Sequence, residues 1–257
     1  MPAFFRPLKN ATVIDILAES PRFVAATISR GAEAVAGNPY SGFNICPYTC
    51  DDTSHINQCR LALADELGIS PEQIVMPRQT HSPNVKIIDG PAEIDTLLHI
   101  DALVTSCRNI AIGINTADCV PVLLIDETAG AIAAVHSGWR GTVANIVSNT
   151  IDSMQALGAL PQRIRAFIGP CIHQCCFETG RDVTDLFPAE FVFENKSAKP
   201  HVDLPGAVVR QLADAGVCRT NIAESPCCSR CNPMKYCSAR ASGVDSARTF
   251  SFILLKN

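Results

Sequence analysis

Residues 131–142 read A-I-A-A-V-H-S-G-W-R-G-T, an apolar run that ends at His136 and leads into two glycines around the only tryptophan. A second apolar run, residues 110–124, is interrupted by the polar segment T-A-D-C-V-P at residues 116–121. A third polar cluster, R-Q-T-H at residues 78–81, comes shortly after the apolar I-V-M. Continuous apolar runs are typical of strands covered on both faces. These runs therefore predict strands inside a layered structure, with polar side chains emerging where the strands end.

The rest of the chain alternates between predicted strands and helices. Apolar runs predict strands over residues 23–29, 74–79, 84–88, 102–105, 110–115, 120–126, 131–136, 165–168 and 249–255. Helical spacing and capping residues predict helices over residues 52–67, 143–157, 180–186 and 205–215. The hairpin-like connection at residues 126–130 favours mixed sheets over a doubly wound parallel sheet. With no linker or repeat, the predicted class is mixed α/β (α+β), a single domain over residues 1–257 with mixed β-sheets flanked by helices.

Composition narrows the function classes. The 257 residues are 47% hydrophobic and carry a formal net charge of -4, which argues against a nucleic-acid partner or an anionic membrane surface. No apolar run reaches the roughly 18–20 residues that span a bilayer. The first ten residues lack the apolar core of a signal peptide, so the 13 cysteines are expected to be reduced thiols. We therefore expect a cytoplasmic protein. The missing G-x-G-x-x-G and Walker-type loops exclude the commonest nucleotide folds.

Three residues offer soft ligands where predicted strands surface: His81, Cys119 and His136. Two imidazoles and a thiolate suit Zn(II) and leave a fourth tetrahedral position open for water or substrate. A zinc ion in such a site lowers the pKa of its water to about 7. The same residues could form a Cys–His catalytic pair, or be a small buried thiol and two ordinary loop histidines. Spacings of 38 and 17 residues match no compact zinc motif, so the alternatives stand.

Two further features adjoin these residues. The segment S-G-W-R-G-T at residues 137–142 leads into a predicted helix, and Arg140 supplies a fork suited to phosphate or carboxylate, which predicts an anion site. It could equally be a strand-to-helix turn with Arg140 in a surface ion pair. Asp118 is a candidate general acid/base, or a turn cap. Residues 171–176 and 227–237 are rich in cysteine, including the C-x-x-C of Cys228 and Cys231. A structural zinc or a redox pair could form there, but with no second C-x-x-C, unpaired thiols are favoured.

The motifs together resemble one family. They read Q-T-H at residues 79–81, A-D-C-V-P-V-L-L at 117–124, A-A-V-H-S-G-W-R-G-T at 133–142 and I-G-P-C-I at 168–172. In this order they resemble the peptidoglycan editing factor family, also called the bacterial laccase-domain or polyphenol oxidase family. The resemblance implies a metal-binding catalytic domain of mixed sheets, with a metal held by His81, Cys119 and His136. It also implies a pocket in which Arg140 and the neighbouring Gly138 and Gly141 hold phosphate, lined by Asn44, Arg60 and Gln79.

The resemblance implies three classes of function. The first is a zinc enzyme on purine nucleosides, with phosphorolysis of adenosine, inosine and methylthioadenosine and deamination of adenosine; its partners are purine nucleosides and phosphate. The second is a copper-dependent polyphenol oxidase, and the third is a hydrolase that edits peptidoglycan precursors with Cys119 as nucleophile. Six histidines and no H-x-H pair are too few for a multicopper centre, although one Cu(II) could occupy the His2Cys site in place of Zn(II). The sequence departs from the family pattern at Tyr236, Cys237 and Ala241, which leaves the substrate preference open.

Overall fold

The structure, a computed structural model, describes residues 5–7, 13–194 and 199–257. The expectation about an export signal concerns the first ten residues, most of which lie outside the described part. The strands in chain order are β1 (Phe5–Pro7), β2 (Val13–Ser20), β3 (Phe23–Ile28), β4 (Ile74–Val75), β5 (Val85–Ile87), β6 (Ala102–Thr105), β7 (Ala111–Thr116), β8 (Val120–Asp126), β9 (Ala131–Ser137), β10 (Arg165–Ile168), β11 (Val192–Phe193), β12 (His201–Val202), β13 (Ile222–Glu224) and β14 (Thr249–Leu255). The α-helices are α1 (Thr53–Leu67), α2 (Trp139–Val143), α3 (Ile146–Gln155), α4 (Arg181–Thr184), α5 (Leu204–Asp214) and α6 (Ala239–Ser242).

Most of the described strands form two six-stranded sheets. The first has the order β1-β2-β3-β14-β7-β4 and the second the order β13-β10-β8-β9-β6-β5. The pairs β4–β7, β5–β6 and β10–β13 are parallel, and the other described pairs are antiparallel. The predicted α/β class, with mixed sheets flanked by helices, is therefore confirmed.

Helix α1, the first sheet, the second sheet and the helices α3 and α5 form four layers, with apolar side chains between them. Side chains that alternate along β8 separate two cores: Leu123 and Ile125 pack with β7 and β14 between the sheets, whereas Val122 and Leu124 pack against α3 and α5. A third core joins the outer face of the first sheet to α1. Each strand of the sheet interior is thus covered on both faces, which is why β7, β8 and β9 read as continuous apolar runs. None of the described helices combines the length and apolarity that crossing a bilayer requires.

Helix α1 forms where its capping residues predict it. The side chain of Asp52 accepts hydrogen bonds from the backbone N–H groups of Ser54 and His55, and so satisfies donors that the first turn leaves unpaired. Gly68 ends the helix in the left-handed conformation, with φ of 66°, which costs a glycine little. Local sequence therefore fixes both ends of this helix.

The predicted helix over residues 143–157 is wrong in its bounds, because two helices occupy this region. Helix α2 begins already at Trp139, and α3 starts after Asn145, which has φ of 60°. A distant side chain supports the break: the amide of Gln211 in α5 donates to the carbonyl of Thr142 at 2.7 Å. The predicted strand over residues 74–79 is shorter, Ile74–Val75, so that the following residues are free to form a loop.

Candidate metal centre

The hairpin of β8 and β9 brings a thiol and an imidazole together. Val120 pairs with Ser137 and Pro121 with His136, so the open end of the hairpin lies at these residues. Cys119 directly precedes β8 and therefore lies beside the end of β9. A separation of 17 residues in sequence becomes close contact because the chain turns back at residues 127–130.

A buried carboxylate places the third donor. Asp101, fully buried, accepts hydrogen bonds from the backbone N–H groups of Thr80, His81 and Ser82 at 3.0, 2.9 and 2.9 Å. The same carboxylate lies 2.7 Å from Nδ1 of His136. The backbone carbonyl of Asp101 also accepts a hydrogen bond from the backbone N–H of His136 at 2.8 Å. One side chain thus positions the imidazole of His136 and the backbone of His81. In the neutral form of His136 whose Nδ1–H donates to Asp101, Nε2 carries the lone pair that can bind a metal.

The three donor atoms converge. One ligand atom from each of His81, Cys119 and His136 lies within 4.8 Å of the others, and Nε2 of His81 is 3.7 Å from Sγ of Cys119. Ideal tetrahedral zinc with ordinary bond lengths separates a nitrogen and a sulfur ligand by about 3.6 Å. The donor set and the spacing fit a metal ion with one position left open. His136 is 3% exposed, whereas His81 lies at the surface, so the open position is reached from the His81 side.

Neighbouring charges lower the pKa of the Cys119 thiol. Burial alone raises the pKa of Cys119, but the charge and hydrogen bond of His136, with a further contribution from His81, lower this pKa to about 6. Burial lowers the pKa of His136, but the thiolate of Cys119 and the hydrogen bond to Asp101 raise it to about 9. At neutral pH the pair therefore carries a thiolate, which is the form that binds metals and attacks electrophiles.

Gly138 leaves room for the metal centre. A Cβ at this position would lie 2.7 Å from Cδ2 of His81 and 3.1 Å from Sγ of Cys119. Gly141 lies one turn further along α2, where a Cβ would reach ordinary contact distances of 3.4 Å or more. Of the two glycines, Gly138 is the one that borders the donors of His81 and Cys119.

Arg140 lies at the start of α2 and is exposed. Its guanidinium stacks over the ring of Trp139 at 4.0 Å from the centroid, and it pairs with no carboxylate of the described residues. The expected alternative of a surface ion pair is therefore absent from this part of the chain. The stacked guanidinium keeps its hydrogen-bond donors available to an anion.

Asp118 is held on both sides of its carboxylate. It is 8% exposed and has φ of 93°; its Oδ1 accepts from Oγ of Ser229 at 2.7 Å, and its Oδ2 accepts from the backbone N–H of Arg240 at 2.8 Å. Both oxygens are engaged, and the residue directly precedes Cys119. This geometry favours a role in positioning Cys119 over the proton-carrying role expected from the sequence.

The remaining predicted pocket residues make structural contacts. Gln79 mimics a strand partner: it accepts from the N–H of Asn115 at 2.8 Å and donates to the carbonyl of the same residue at 2.7 Å. Asn44 is fully buried and donates to a threonine and an aspartate of its own loop. The Arg60 guanidinium holds two backbone carbonyls at residues 71 and 74. Asp101 was not among the functional residues inferred from the sequence. The only signal for it there is an acidic residue directly before an apolar strand.

Known proteins resemble this chain over most of its length. Residues 25–256 match a family model described as multi-copper polyphenol oxidoreductase laccase. The chain is 42% identical over 253 residues to adenosine deaminase RL5 from an unknown prokaryotic organism, covering 93% of this chain and 97% of the relative. It is 34% identical over 232 residues to a purine nucleoside phosphorylase of Bacteroides thetaiotaomicron, covering 84% and 86%. The crystal structure of the Bacillus licheniformis hypothetical protein YfiH superposes with a TM-score of 0.87 at 26% identity, over 98% of this chain and 99% of that one.

Proposed function

The chain belongs to the family described as multi-copper polyphenol oxidoreductase laccase, and we propose that within it this protein is a zinc-dependent enzyme of purine nucleosides. Its reactions are deamination of adenosine and phosphorolysis of adenosine, inosine and methylthioadenosine. Relatives named adenosine deaminase and purine nucleoside phosphorylase align over most of this chain. The observation that carries the proposal is the convergence of His81, Cys119 and His136 at one accessible point.

Each residue has a definite task in this proposal. His81, Cys119 and His136 hold the ion, which when bound supplies Lewis-acid activation of water for deamination. Asp101 orients the His136 imidazole and fixes the backbone of His81 through the hydrogen bonds given above. Arg140, stacked on Trp139, binds phosphate for attack on the ribose anomeric carbon.

The two reactions are separable by their need for phosphate. Deamination converts adenosine and water into inosine and ammonia, whereas phosphorolysis converts adenosine and phosphate into adenine and ribose 1-phosphate. We expect zinc-loaded protein to form inosine in phosphate-free buffer, and adenine and ribose 1-phosphate only when phosphate is added. Chromatography of the bases and nucleosides measures both.

Two variants control this assay. His136→Ala removes a donor from the metal centre and is expected to abolish both activities. His55→Gln alters a histidine outside the group, where Nδ1 lies 2.9 Å from Asp51, and is expected to keep them. If zinc-loaded wild type forms no inosine, hypoxanthine, adenine or ribose 1-phosphate above the His136→Ala background, the proposal is wrong.

Arg140→Ala separates the phosphate role from the metal role. We expect this variant to raise the KM for phosphate by about tenfold or more, since a charge-assisted contact to an anion contributes roughly 1.5–3 kcal/mol. Deamination in phosphate-free buffer is expected to persist at the wild-type rate. Equal loss of both activities would mean that Arg140 does not act as the phosphate site.

A second candidate is a hydrolase with Cys119 as nucleophile, and the lowered thiol pKa of about 6 favours it. In that case metal-free protein stays active and Cys119 forms an acyl adduct with a peptidoglycan precursor. Mass spectrometry of protein treated with a chelator distinguishes the two, because the zinc enzyme loses activity and forms no adduct.

The donor set does not fit a multicopper centre. All six histidines lie in the described part of the chain, and only His81 and His136 belong to a group of three or more metal-binding residues there. Among the others, His55 bonds Asp51 and His201 lies 2.6 Å from the carbonyl of Gln174. A laccase needs a His2Cys copper and a further histidine-rich cluster, for which the described histidines provide no second site.

A further inference from the structure

Four cysteines outside the metal centre come together from two loops. Cys175 and Cys176 lie in the loop after β10, and Cys228 and Cys231 lie in the loop after β13. The strands β10 and β13 are parallel neighbours, so the chain leaves both strands at the same edge of the sheet. The topology therefore places these loops side by side.

Backbone hydrogen bonds hold the two loops in register. Cys171 and Cys228 form an isolated parallel bridge, and the N–H of Ser229 donates to the carbonyl of Cys171 at 2.8 Å. In the second loop, the side-chain amide of Asn232 donates to the carbonyl of Cys228 at 2.8 Å. The turn that presents Cys228 and Cys231 is thus closed before any ion binds.

The four sulfur atoms have the spacing of a tetrahedral metal site. They all lie within 4.8 Å of one another. Cys176 is 3.4 Å from Cys231 and 3.7 Å from Cys175, and Cys175 is 3.9 Å from Cys231. A tetrahedral zinc ion with bonds of about 2.3 Å to sulfur separates its ligands by about 3.8 Å. A disulfide requires about 2.05 Å, so no bridge is formed and all four are free thiols.

One of the four sulfur atoms, that of Cys228, accepts a backbone hydrogen bond. The backbone N–H of His173 points at Sγ of Cys228 with a distance of 3.5 Å. Such N–H contacts to sulfur stabilise negative charge, as the outer hydrogen bonds of a metal site do. Cys228 is buried, while Cys175 and Cys231 are exposed, so an ion can enter from solvent.

We propose that Cys175, Cys176, Cys228 and Cys231 bind one zinc ion in a closed tetrathiolate site. Binding releases four protons as the four thiols become thiolates, and no oxidant takes part. Four protein ligands leave no position for water, so the ion is structural and not catalytic.

The loops that carry the four cysteines also contact a residue next to the metal centre of His81, Cys119 and His136. Ser229, between Cys228 and Cys231, donates its hydroxyl to Asp118, and the backbone N–H of Ile172 donates to the carbonyl of Asp118 at 2.8 Å. Both loops joined by the ion therefore contact the residue that precedes Cys119. Loss of the structural zinc loosens the support of Asp118.

Metal counting on purified protein tests this site without any activity assay. Protein prepared under reducing conditions and loaded with zinc is expected to contain about two ions per chain, the Cys176→Ser/Cys231→Ser variant about one, and the exposed-cysteine control Cys218→Ser about two. The His136→Ala variant is expected to keep the tetrathiolate ion. Replacement by Co(II) in His136→Ala adds a signature, because tetrahedral cobalt thiolates absorb strongly in the red and at the near-ultraviolet charge-transfer band.

Three results overturn the proposal. One is equal zinc content in wild type and the double cysteine variant. Another is a His136→Ala protein that binds Co(II) without the tetrathiolate spectrum. The third is a disulfide between Cys176 and Cys231 in protein kept reduced during purification, which would make the cluster a redox pair. None of these depends on nucleoside turnover, so the two proposals fail separately.

Discussion

Replacing Asp101 by asparagine tests how the metal centre is positioned. In the wild type, Oδ2 accepts from the N–H groups of Thr80 and Ser82, and Oδ1 accepts from His81 and lies against Nδ1 of His136. Asparagine keeps the shape but turns one oxygen into a donor. At least two hydrogen-bonded groups then lose their acceptor whichever way the amide points, because Oδ2 also accepts from the Ser82 hydroxyl.

The magnitude follows from these two broken hydrogen bonds. A hydrogen bond to a charged group contributes about 1.5–3 kcal/mol, so the loss of two of them lowers the free energy of unfolding by up to about 6 kcal/mol. If the amide faces His136, the ring loses the partner that fixes its tautomer. Disturbing such a partner typically weakens metal binding about 10–100-fold.

Two measurements on Asp101→Asn check these numbers. Urea unfolding of the metal-free protein gives the stability, and competition with a chromogenic chelator gives the zinc Kd. The exposed Asp89→Asn is the matched control, with both values expected to stay at wild type. If Asp101→Asn binds zinc within twofold of wild type and unfolds at the same urea concentration, Asp101 does not orient the histidines.

Three further substitutions probe separate parts of the chain. Gly138→Ala is expected to weaken zinc binding, because the added Cβ would displace the exposed His81 ring. The urea midpoint of the metal-free protein is expected to stay unchanged. A change in stability without a change in the zinc Kd would contradict this. Asp126→Asn is expected to destabilise the protein above about pH 4, and by progressively less as the pH falls. Burial raises the pKa of Asp126 in the folded state, but its hydrogen bonds lower this pKa by more, to below the unfolded value near 3.9. A stability difference that stays constant in urea curves from pH 6 to pH 2 would refute this. Gly113→Ala would put a Cβ 2.2 Å from Cζ of the fully buried Phe250. It is expected to lower the free energy of unfolding by about 1–3 kcal/mol, and the added substitution Phe250→Leu is expected to restore part of this loss. An unchanged urea midpoint would show that the core can shift to accept the methyl group.

The sequence predicts best those features that local chemistry determines. Helix α1 carries its own caps in Asp52 and Gly68, and the β8–β9 hairpin follows from two apolar runs joined by a short turn with Gly130 at φ of 64°. That hairpin alone accounts for the neighbourhood of Cys119 and His136. Polar residues at the ends of buried strands are therefore a usable signal even without a compact ligand motif.

Features supported by distant residues escape such reasoning. Strand β2 was not predicted, because its V-I-D-I-L-A-E-S pattern places an aspartate among apolar residues. The buried Asp15 is paired with Lys235 at 3.0 Å and with the Tyr236 hydroxyl, both more than 200 positions away in sequence. The break at Asn145 likewise coincides with hydrogen bonds from Gln211. In each case a local pattern is overridden by a partner that only the fold supplies.

The burial of the three donors determines how a substrate reaches the metal centre. His136 is closed off on one side by Asp101 and on the other by the sheet, and Gly138 keeps the space beside Cys119 free of a side chain. Of the three, only His81 is exposed, so a ligand of the metal centre has to approach from the side of its ring. The backbone N–H of His81 is held by Asp101, and its ring packs edge-to-face against the His136 ring with 4.8 Å between centroids. Substrate preference therefore depends on the exposed loops around His81 and Arg140, while metal affinity depends on the buried carboxylate behind them.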